Sequence, residues 1–197
     1  MNETKMRKFA QDNFVPIVRP ETSKLLIENV KEINPKSILE VGTAIGYSGI
    51  LMLENSNANL ITLEKDEKMK NLALENFKEE NLQNRVKLVF GDTKTYIENS
   101  NEKFDFIFLD GPKSQYVKYY PYLLKMLNQN GRIFVDNVLF QGLVLSKEEP
   151  PKKFRTIVNN LREFLKLVQT DKKVSFKLID IEDGVLLIKK NRNIIYK

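Results

Sequence analysis

Short apolar runs alternate with segments in which apolar positions recur every three or four residues. The runs are rich in Ile, Leu, Val and Phe and are almost uninterrupted, a pattern typical of strands that are buried on both faces of a sheet. Five such strands are predicted, at Ser37–Val41, Leu60–Glu64, Val86–Phe90, Phe104–Asp110 and Arg132–Asp136.

The segments between and around these runs have helical periodicity. Asp66–Glu80 and Ser114–Gln129 lie between predicted strands, and each carries an apolar stripe. Glu21–Ile33 precedes the first strand and ends before Pro35, and Lys152–Val168 follows the fifth strand. Such alternation of strands and helices predicts a parallel sheet with right-handed crossovers.

The last two apolar runs predict a hairpin. Val174–Asp180 and Val185–Lys189 are separated by a short turn at residues 182–184. Because a tight turn joins antiparallel strands, the last strand is expected to run against its neighbours. The predicted fold is α/β, with a seven-stranded, mostly parallel sheet, an antiparallel last strand and helices on both faces. We expect a single domain over residues 1–197, with residues 1–35 as an N-terminal helical segment.

The predicted loop Asn137–Pro151 has few apolar anchors and ends in Lys-Glu-Glu-Pro-Pro. Long loops without regular structure are often functional. We therefore expect a mobile lid or a loop that contacts an acceptor or a partner.

The 197-residue chain contains neither Cys nor His. This excludes disulfides, thiolate nucleophiles, Ser-His-Asp catalysis and zinc sites built on His or Cys. A metal ion would need oxygen ligands, and a general base would be Asp, Glu, Lys, Tyr or the metal itself.

The formal net charge of +6 is unevenly distributed. Residues 145–197 contain 13 Lys or Arg and 7 Asp or Glu, while the preceding residues are balanced. A basic region attracts polyanions such as nucleic acid, although a solvated lysine-rich surface has the same composition. No apolar run is long enough to cross a membrane and no signal peptide is evident, so we expect a cytoplasmic protein without a membrane partner.

The first strand leads into a glycine-containing turn, E-x-G-x-x-x-G, at Glu40–Gly46. This spacing resembles motif I of class I S-adenosylmethionine (SAM) methyltransferases rather than the G-x-G-x-x-G of dinucleotide binding. Glu64 ends the second strand, where a carboxylate can accept hydrogen bonds from both ribose hydroxyls. Asp92 follows the third strand. In SAM enzymes a residue at this place contacts the adenine of the cofactor, although Asp92 could instead cap the next helix.

Three oxygen donors follow the fourth and fifth predicted strands. Asp110 follows one, and Asp136 with Asn137 follows the other. Two carboxylates and an amide suit a hard divalent cation such as Mg²⁺ or Ca²⁺ and leave positions for water or substrate. An Asp-Asn pair is also common in turns, so neither residue alone indicates a metal site.

Together, L-E-V-G-T-A-I-G-Y-S, D-x-x-K-x-x-Y and D-N-V-L-F-x-G-L-V resemble the cation-dependent O-methyltransferases of the catechol and caffeoyl-CoA type. The resemblance covers about residues 13–190 and implies a Rossmann-like SAM methyltransferase fold. The P-I-V-R-P-E stretch at Pro16–Glu21 is most similar to the compact bacterial branch of that family, which includes tRNA 5-hydroxyuridine methyltransferases. Relatives are often homodimers, so a homodimer is expected.

The resemblance implies a role for each matching residue. Asp110 would serve both the metal and the cofactor, and Lys113 would act beside it as a base or as an electrostatic aid. The implied metal ligands are Asp110, Asp136 and Asn137. The implied SAM contacts are Glu40, Gly42, Thr43, Gly46, Tyr47, Ser48, Glu64, Asp92 and Asp110.

The acceptor is the least determined part of the prediction. The resemblance and the basic C-terminal quarter favour 5-hydroxyuridine at the tRNA wobble position, which would become 5-methoxyuridine. Small catechols or phenolic CoA esters are the alternative, and an NAD-dependent oxidoreductase is the alternative of another class. Tyr119 and Tyr122 could stack on bases or lie between subunits. The candidate tRNA contacts are Arg19, Lys152, Lys153 and Arg155, with Lys147, Arg162 and Lys166 as further phosphate-binding candidates.

Overall fold

Within residues 3–191, which a computed structural model describes, the chain forms one seven-stranded sheet. The strands are β1 (Ser37–Val41), β2 (Asn59–Glu64), β3 (Val86–Phe90), β4 (Phe104–Leu109), β5 (Leu127–Val135), β6 (Val174–Ile179) and β7 (Val185–Lys190). Their order across the sheet is β3-β2-β1-β4-β5-β7-β6.

Strands β1 to β5 pair in parallel, and β7 runs antiparallel to both β5 and β6. The antiparallel direction follows from the short β6–β7 connection, because a tight turn cannot join parallel strands. The predicted fold class is therefore confirmed.

Helices cover both faces of the sheet. Helices α1 to α4 contribute to the apolar cluster on one face, and α5 to α7 contribute to the cluster on the other. The helices are α1 (Glu3–Asp12), α2 (Pro20–Ile33), α3 (Tyr47–Glu54), α4 (Glu67–Glu79), α5 (Thr93–Asn99), α6 (Tyr116–Met126) and α7 (Arg155–Thr170).

Successive side chains of the central strands enter opposite clusters. Ile38 and Phe106 belong to the cluster under α1 to α4, whereas Leu39 and Ile107 belong to the cluster under α5 to α7. Because both faces are covered, these strands lack the polar positions of a half-exposed sheet, which is why they appear in the sequence as continuous apolar runs.

The strand β3 differs from its prediction, because it lies at the edge of the sheet. Its residues are half-buried or exposed, not buried on both faces. The sequence pattern also failed to identify α3 and α5 individually. Helix α3 is buried from Tyr47 to Leu53, so it has no polar stripe to reveal a helical period, and α5 has only 7 residues.

Helix α6 ends earlier than predicted, at Met126, and Leu127 already belongs to β5. Tyr119 is 3% exposed and packs in the apolar cluster under this helix, so it offers little surface either for stacking on bases or for contact with a second subunit. Tyr122 is 37% exposed and remains accessible.

Residues 1–2 and 192–197 lie outside the described part of the chain. The single domain predicted over residues 1–197 stays a prediction. Among the described helices, none combines the length and the apolarity that a membrane span requires.

One charged side chain is buried where β5 meets α2. Arg132 is 2% exposed, and its guanidinium donates to Glu32 Oε1 and Oε2 at 2.7 and 2.8 Å and also to Asn29 Oδ1. Its Nε has no hydrogen-bond partner. The hydrogen bonds from Arg132 lower the pKa of Glu32 to about 2. The ion pair therefore compensates a buried cation at the junction of helix and sheet.

We expect Glu32→Gln to lower the free energy of unfolding by about 1–2 kcal/mol, a value reduced because Glu32 itself is exposed. The folded pKa of Glu32 lies below its ordinary value of 4.5, so its contribution is complete above pH 4.5 and is lost as the pH falls through about 2. Urea denaturation at pH 7 and at pH 3 measures this difference. Glu21→Gln, which breaks the exposed pair with Lys24 on the same helix, is the matched control. Equal losses for the two variants would contradict a specific role of Glu32.

Candidate active site

Polar residues that follow the parallel strands meet at one edge of the sheet. Gly42 follows β1, Glu64 ends β2, Asp92 lies just beyond β3, Asp110 follows β4 and Asp136 follows β5. The carboxyl ends of parallel strands share an edge, and ligands bind in the crevice there. The structure therefore brings the predicted cofactor and metal residues to one place.

Two adjoining cavities open at this edge, and both are lined by Gly42 and Glu64. The first has a volume of about 300 Å³ and is also lined by Asp110, Lys113 and Asn137. The second has a volume of about 390 Å³ and extends towards Asp92. The remaining lining residues of the first cavity are Pro16, Ile17, Val18, Thr43, Ala44, Tyr47, Ser48 and Gly111.

Gly42 allows the β1–α3 loop to lie directly against the end of β4. It has a φ of +103°, and a Cβ at this position would lie 2.5 Å from the carbonyl oxygen of Asp110. A side chain would therefore collide with backbone, as well as being strained. Gly46, with a φ of +82°, begins α3 from the left-handed region. Both motif glycines are thus required by the geometry.

Glu40 is fully buried beneath this loop and does not line either cavity. Its Oε1 accepts a hydrogen bond from Ser48 Oγ at 2.5 Å, and its Oε2 accepts one from Thr62 Oγ1 at 2.6 Å. Thr43 Oγ1 lies 2.6 Å from Thr62 Oγ1 and, since Thr62 donates to Glu40, Thr43 is the donor of this pair. The structure therefore does not place Glu40 for direct cofactor contact, and its effect would pass through Ser48 and Thr43.

Burial raises the pKa of Glu40 to about 7, and the hydrogen bonds from Ser48 and Thr62 oppose this shift. The carboxylate is thus poised to change its charge near neutral pH. Its ionised form is the one that can accept hydrogen bonds from both hydroxyls at once.

Glu64 lies between the two cavities and organises the loops around it. Its Oε2 accepts from the Ala44 N–H at 2.9 Å, and its Oε1 accepts from the N–H groups of Lys65 and Asp66 at 2.8 and 2.9 Å. Ala44 has a φ of +46°, so this bond fixes a strained residue. A carboxylate has further acceptor capacity, which leaves Glu64 able to bind ribose hydroxyls.

Asp92 lines the second cavity and also caps α5. It accepts from Lys94 N–H at 3.3 Å and from Thr95 Oγ1 at 3.0 Å, and the Thr95 hydrogen bond is the main reason that its pKa is lowered. The helix-cap alternative from the sequence is therefore realised, and the same residue still faces the cavity.

Asp110 and Asp136 lie side by side at the ends of β4 and β5. Leu109 pairs with Val135, and the Asp136 N–H donates to the Leu109 carbonyl at 3.1 Å, so the two aspartates are the next residues on adjacent strands. Lys113 Nζ is 3.5 Å from Asp110 Oδ1. One lysine thus faces two carboxylates.

Burial raises the pKa of Asp110, against the effect of Lys113. Burial, and next the charge of Asp110, raise the pKa of Asp136 to about 7, with a smaller contribution from Asp183. Burial and both carboxylates also raise the pKa of Tyr116, whose hydroxyl donates to the Gly111 carbonyl at 3.4 Å. The site therefore holds more negative charge than its own side chains neutralise, which is the environment that a divalent cation relieves.

Within residues 3–191, no three carboxylate side chains converge on one point to hold a metal ion. An ion held by Asp110 and Asp136 would therefore need an amide or water as a further ligand. Asn137 is adjacent, half-buried and lines the first cavity, with its backbone in the left-handed region at a φ of +56°. The predicted set of two carboxylates and one amide fits an oxygen-ligated cation.

The basic residues proposed for an acceptor lie in different environments. Lys152 and Lys153 are exposed at the start of the segment that leads into α7, and Arg155 is paired with Glu149 at 3.0 Å. Arg19 donates to Asp183 Oδ2 at 2.9 Å beside the segment that lines the first cavity.

Arg162 is half-buried and donates to the carbonyls of Val144, Leu143 and Ser146 at 2.6 to 3.1 Å. It therefore anchors the 137–151 loop through Nε and Nη2, and its role as a phosphate contact stays a prediction. These bonds restrict the loop up to Ser146.

Sequence patterns missed the cavity walls that come from distant segments. Residues Pro16–Val18 line the first cavity, and Ser114, Gln115 and Tyr119 line the second. For Pro16–Val18 the only signal was the resemblance of the stretch at residues 16–21 to a family pattern, since apolar residues in a loop have no periodicity to interpret.

Known proteins are similar to this chain in both sequence and fold. A profile of the O-methyltransferase family matches residues 3–191. Caffeoyl-CoA O-methyltransferase from Populus kitakamiensis is 29% identical over 170 residues, which cover 82% of this chain and 72% of that protein.

Two solved structures have the same fold and similar sequences. A Staphylococcus aureus protein provisionally called a caffeoyl-CoA O-methyltransferase superposes with a TM-score of 0.90, 28% identity, and coverage of 97% of this chain and 93% of that one. The O-methyltransferase from Bacillus cereus, solved in complex with S-adenosylhomocysteine (SAH), gives a TM-score of 0.81, 29% identity, and coverage of 95% and 90%. The resemblance found in the motifs is thus confirmed over almost the whole chain. The chain belongs to the O-methyltransferase family and is a class I O-methyltransferase of the caffeoyl-CoA and catechol type.

Proposed function

We propose that the protein transfers a methyl group from SAM to a hydroxyl oxygen of an acceptor that carries two neighbouring oxygens, with the help of Mg²⁺. The observation that carries this proposal is the adjacency of Asp110 and Asp136 at the ends of β4 and β5, where the backbone of Asp110 lies against Gly42. The acceptor that we propose is 5-hydroxyuridine in tRNA, whose O5 and O4 are such a pair.

The β1–α3 loop and Glu64 are proposed to bind SAM. Ser48 is held by Glu40 and Ala44 by Glu64, so the polar groups of the loop are fixed before a ligand arrives. The family and the SAH complex of the Bacillus cereus relative support this assignment. SAM supplies a methyl group that is already activated on a sulfonium centre.

Asp110, Asp136 and Asn137 are proposed to hold the divalent cation. When bound there, the cation supplies Lewis-acid chemistry that lowers the pKa of an acceptor hydroxyl. The two carboxylates would provide the charge, and Asn137 would add a neutral oxygen without increasing their repulsion.

Residues of the protein align the methyl donor with the acceptor and stabilise the charge on the acceptor oxygen. Lys113 Nζ, beside Asp110, is proposed to stabilise the acceptor oxygen or to take its proton. The bond from sulfur to the methyl carbon breaks as the bond from the acceptor oxygen to that carbon forms, and SAH leaves. Because Gly42 brings the cofactor loop against Asp110, donor and acceptor are held in one cavity for an in-line displacement.

The tRNA acceptor is supported by the resemblance to the compact bacterial branch and by exposed lysines near the 137–151 loop, among them Lys147, Lys152 and Lys153. Such side chains suit phosphate contacts. A phenolic CoA ester is the second candidate, favoured by the name of the Populus kitakamiensis relative.

We expect Asp136→Asn to lower kcat by at least about 100-fold and to abolish saturable Mg²⁺ binding, because one of two carboxylate ligands is lost. Calorimetric titrations with Mg²⁺ and with SAH measure the two sites separately. SAH affinity should stay within about twofold, since the cofactor loop is unchanged. Asp180→Asn, an exposed aspartate beyond β6, is the matched control and should leave both properties intact. Full activity of Asp136→Asn would reject the proposed metal site.

Glu40→Gln should weaken SAH binding by about tenfold, although Glu40 does not line the cavity, because the two hydroxyls donate to different carboxylate oxygens and one of these becomes an NH2 group, which cannot accept. Gln mimics the protonated carboxyl. Wild-type affinity should therefore decrease as the pH falls through about 7 and approach that of the variant, which should vary little with pH. Calorimetry with SAH at pH 6 and pH 8 tests this expectation, with the exposed Glu75→Gln as control. The same pH dependence in both variants would contradict a role of Glu40.

Incubation with labelled SAM should transfer label to tRNA that contains 5-hydroxyuridine and not to the same tRNA with unmodified uridine. Lys152→Gln with Lys153→Gln should reduce tRNA methylation by about tenfold and leave catechol turnover unchanged, because only tRNA has phosphates to bind. Lys172→Gln with Lys173→Gln makes the same charge change beside Asn191, which follows β7 at the opposite end of the sheet, and should have no effect. Label in catechol or caffeoyl-CoA alone would reject the tRNA acceptor and keep the chemistry.

A further inference from the structure

The β6–β7 turn, Glu182-Asp183-Gly184, contacts the beginning of α2. The carboxylate of Glu182 accepts from the N–H groups of Glu21 and Thr22 at 3.3 and 2.9 Å and from Thr22 Oγ1 at 2.7 Å. These are the first amides of α2, which have no partners within the helix. The turn thus caps a helix that is about 160 residues away in the chain, with Glu182 itself at a φ of +50°.

The backbone of the same turn pairs with the segment that follows Asn137. Val138 N–H donates to the Gly184 carbonyl at 3.0 Å, and Leu139 N–H donates to the Asp183 carbonyl at 2.8 Å. Gly184 lies so close to Leu139 that a Cβ there would be 2.2 Å from the leucine side chain. The main chain of the turn therefore fixes the residues next to a proposed metal ligand.

The side chain of Asp183 connects the segment before α2 with the segment after Asn137. Its Oδ2 accepts from Arg19 Nη2 at 2.9 Å, and its Oδ1 accepts from the Gln141 N–H at 3.3 Å. The Asp183 side chain is 15% exposed, whereas that of Arg19 is 51% exposed. One carboxylate thus bridges the N-terminal segment and the 137–151 loop.

Both bridged segments belong to the proposed acceptor end of the first cavity. Pro16, Ile17 and Val18, immediately before Arg19, line this cavity, and so does Asn137, the first residue of the 137–151 loop. Neither segment is fixed to the other by a strand or a helix. Their separation therefore depends on contacts such as the bridge through Asp183.

We propose that Asp183 is a positioning residue that sets the spacing between the N-terminal wall and the 137–151 loop, and thereby the fit of the acceptor. This inference rests on the proposed function for its kinetic readout. Asp183 acts through Arg19 and Gln141 and does not touch the reacting atoms. A change in this spacing would raise the KM for the acceptor. It would leave cofactor binding unchanged, because the proposed SAM-binding β1–α3 loop is not part of either segment.

The central test compares Asp183→Ala, Asp183→Asn and Arg19→Ala with the wild-type protein. Asp183→Ala should raise the acceptor KM about tenfold with SAH affinity within about twofold, and Asp183→Asn should lie between, because its amide oxygen can still accept from Gln141. Arg19→Ala should lower kcat/KM as well, and the double variant should be little worse than either single one. Additive losses, or an equal loss of SAH affinity, would overturn the proposal.

Glu79→Gln is the matched control. It removes an ion pair with Lys5 at 3.1 Å that also joins the N-terminal region to the rest of the protein, on the other side of the cofactor loop. Exposed pairs of this kind contribute little to stability, so Glu79→Gln should keep the thermal midpoint of the wild type. A KM increase for Glu79→Gln equal to that for Asp183→Ala would assign the effect to general loosening and overturn the proposal.

Hydrogen exchange provides a readout that needs no acceptor. In Asp183→Ala the amides of Gln141 and its neighbours in the 137–151 loop should exchange faster, as should the backbone around Arg19, while β1 and α3 stay protected. Unchanged protection would overturn the bridging role even if the enzyme methylates an acceptor. Faster exchange in a protein that methylates no vicinal-oxygen acceptor would instead reject the proposed function and support the bridge.

Discussion

Two neighbouring carboxylates on adjacent strands, one buried and one half-buried, impose the central constraint on this protein. Parallel pairing of β4 with β5 makes Asp110 and Asp136 neighbours at the sheet edge, and their surroundings raise the pKa of both. Lys113 alone does not balance them. Such an arrangement costs free energy in the absence of a cation, which is why the proposed function places a cation there.

The cofactor loop meets that site through a backbone contact. A side chain at Gly42 would collide with the Asp110 carbonyl, so the glycine is what lets the ends of β1 and β4 approach. Beneath the loop, Glu40 holds Ser48 and Thr62, and beside it Glu64 holds Ala44. The proposed methyl donor and acceptor sites therefore share a rigid boundary, which is what an in-line displacement requires.

The acceptor side is built differently, from loops that are distant in sequence. The N-terminal segment and the 137–151 loop are each tied to the β6–β7 turn, and Arg162 adds three bonds to carbonyls of the second. Cavity walls that are held by side-chain contacts can change in sequence without altering the sheet. Relatives that share the fold can thus differ in the acceptor that they methylate.

The sequence by itself determined the strand and helix alternation, the antiparallel last strand and the family, because buried parallel strands and motif glycines leave local patterns. It also indicated that Asp110, Asp136 and Asn137 would share an edge. Tertiary structure alone decided that Tyr119 is buried, that Glu40 lies beneath the loop and that Arg162 binds carbonyls. It also decided that Asp183 bridges two loops. These properties depend on contacts between residues far apart in the chain, and no local periodicity encodes them.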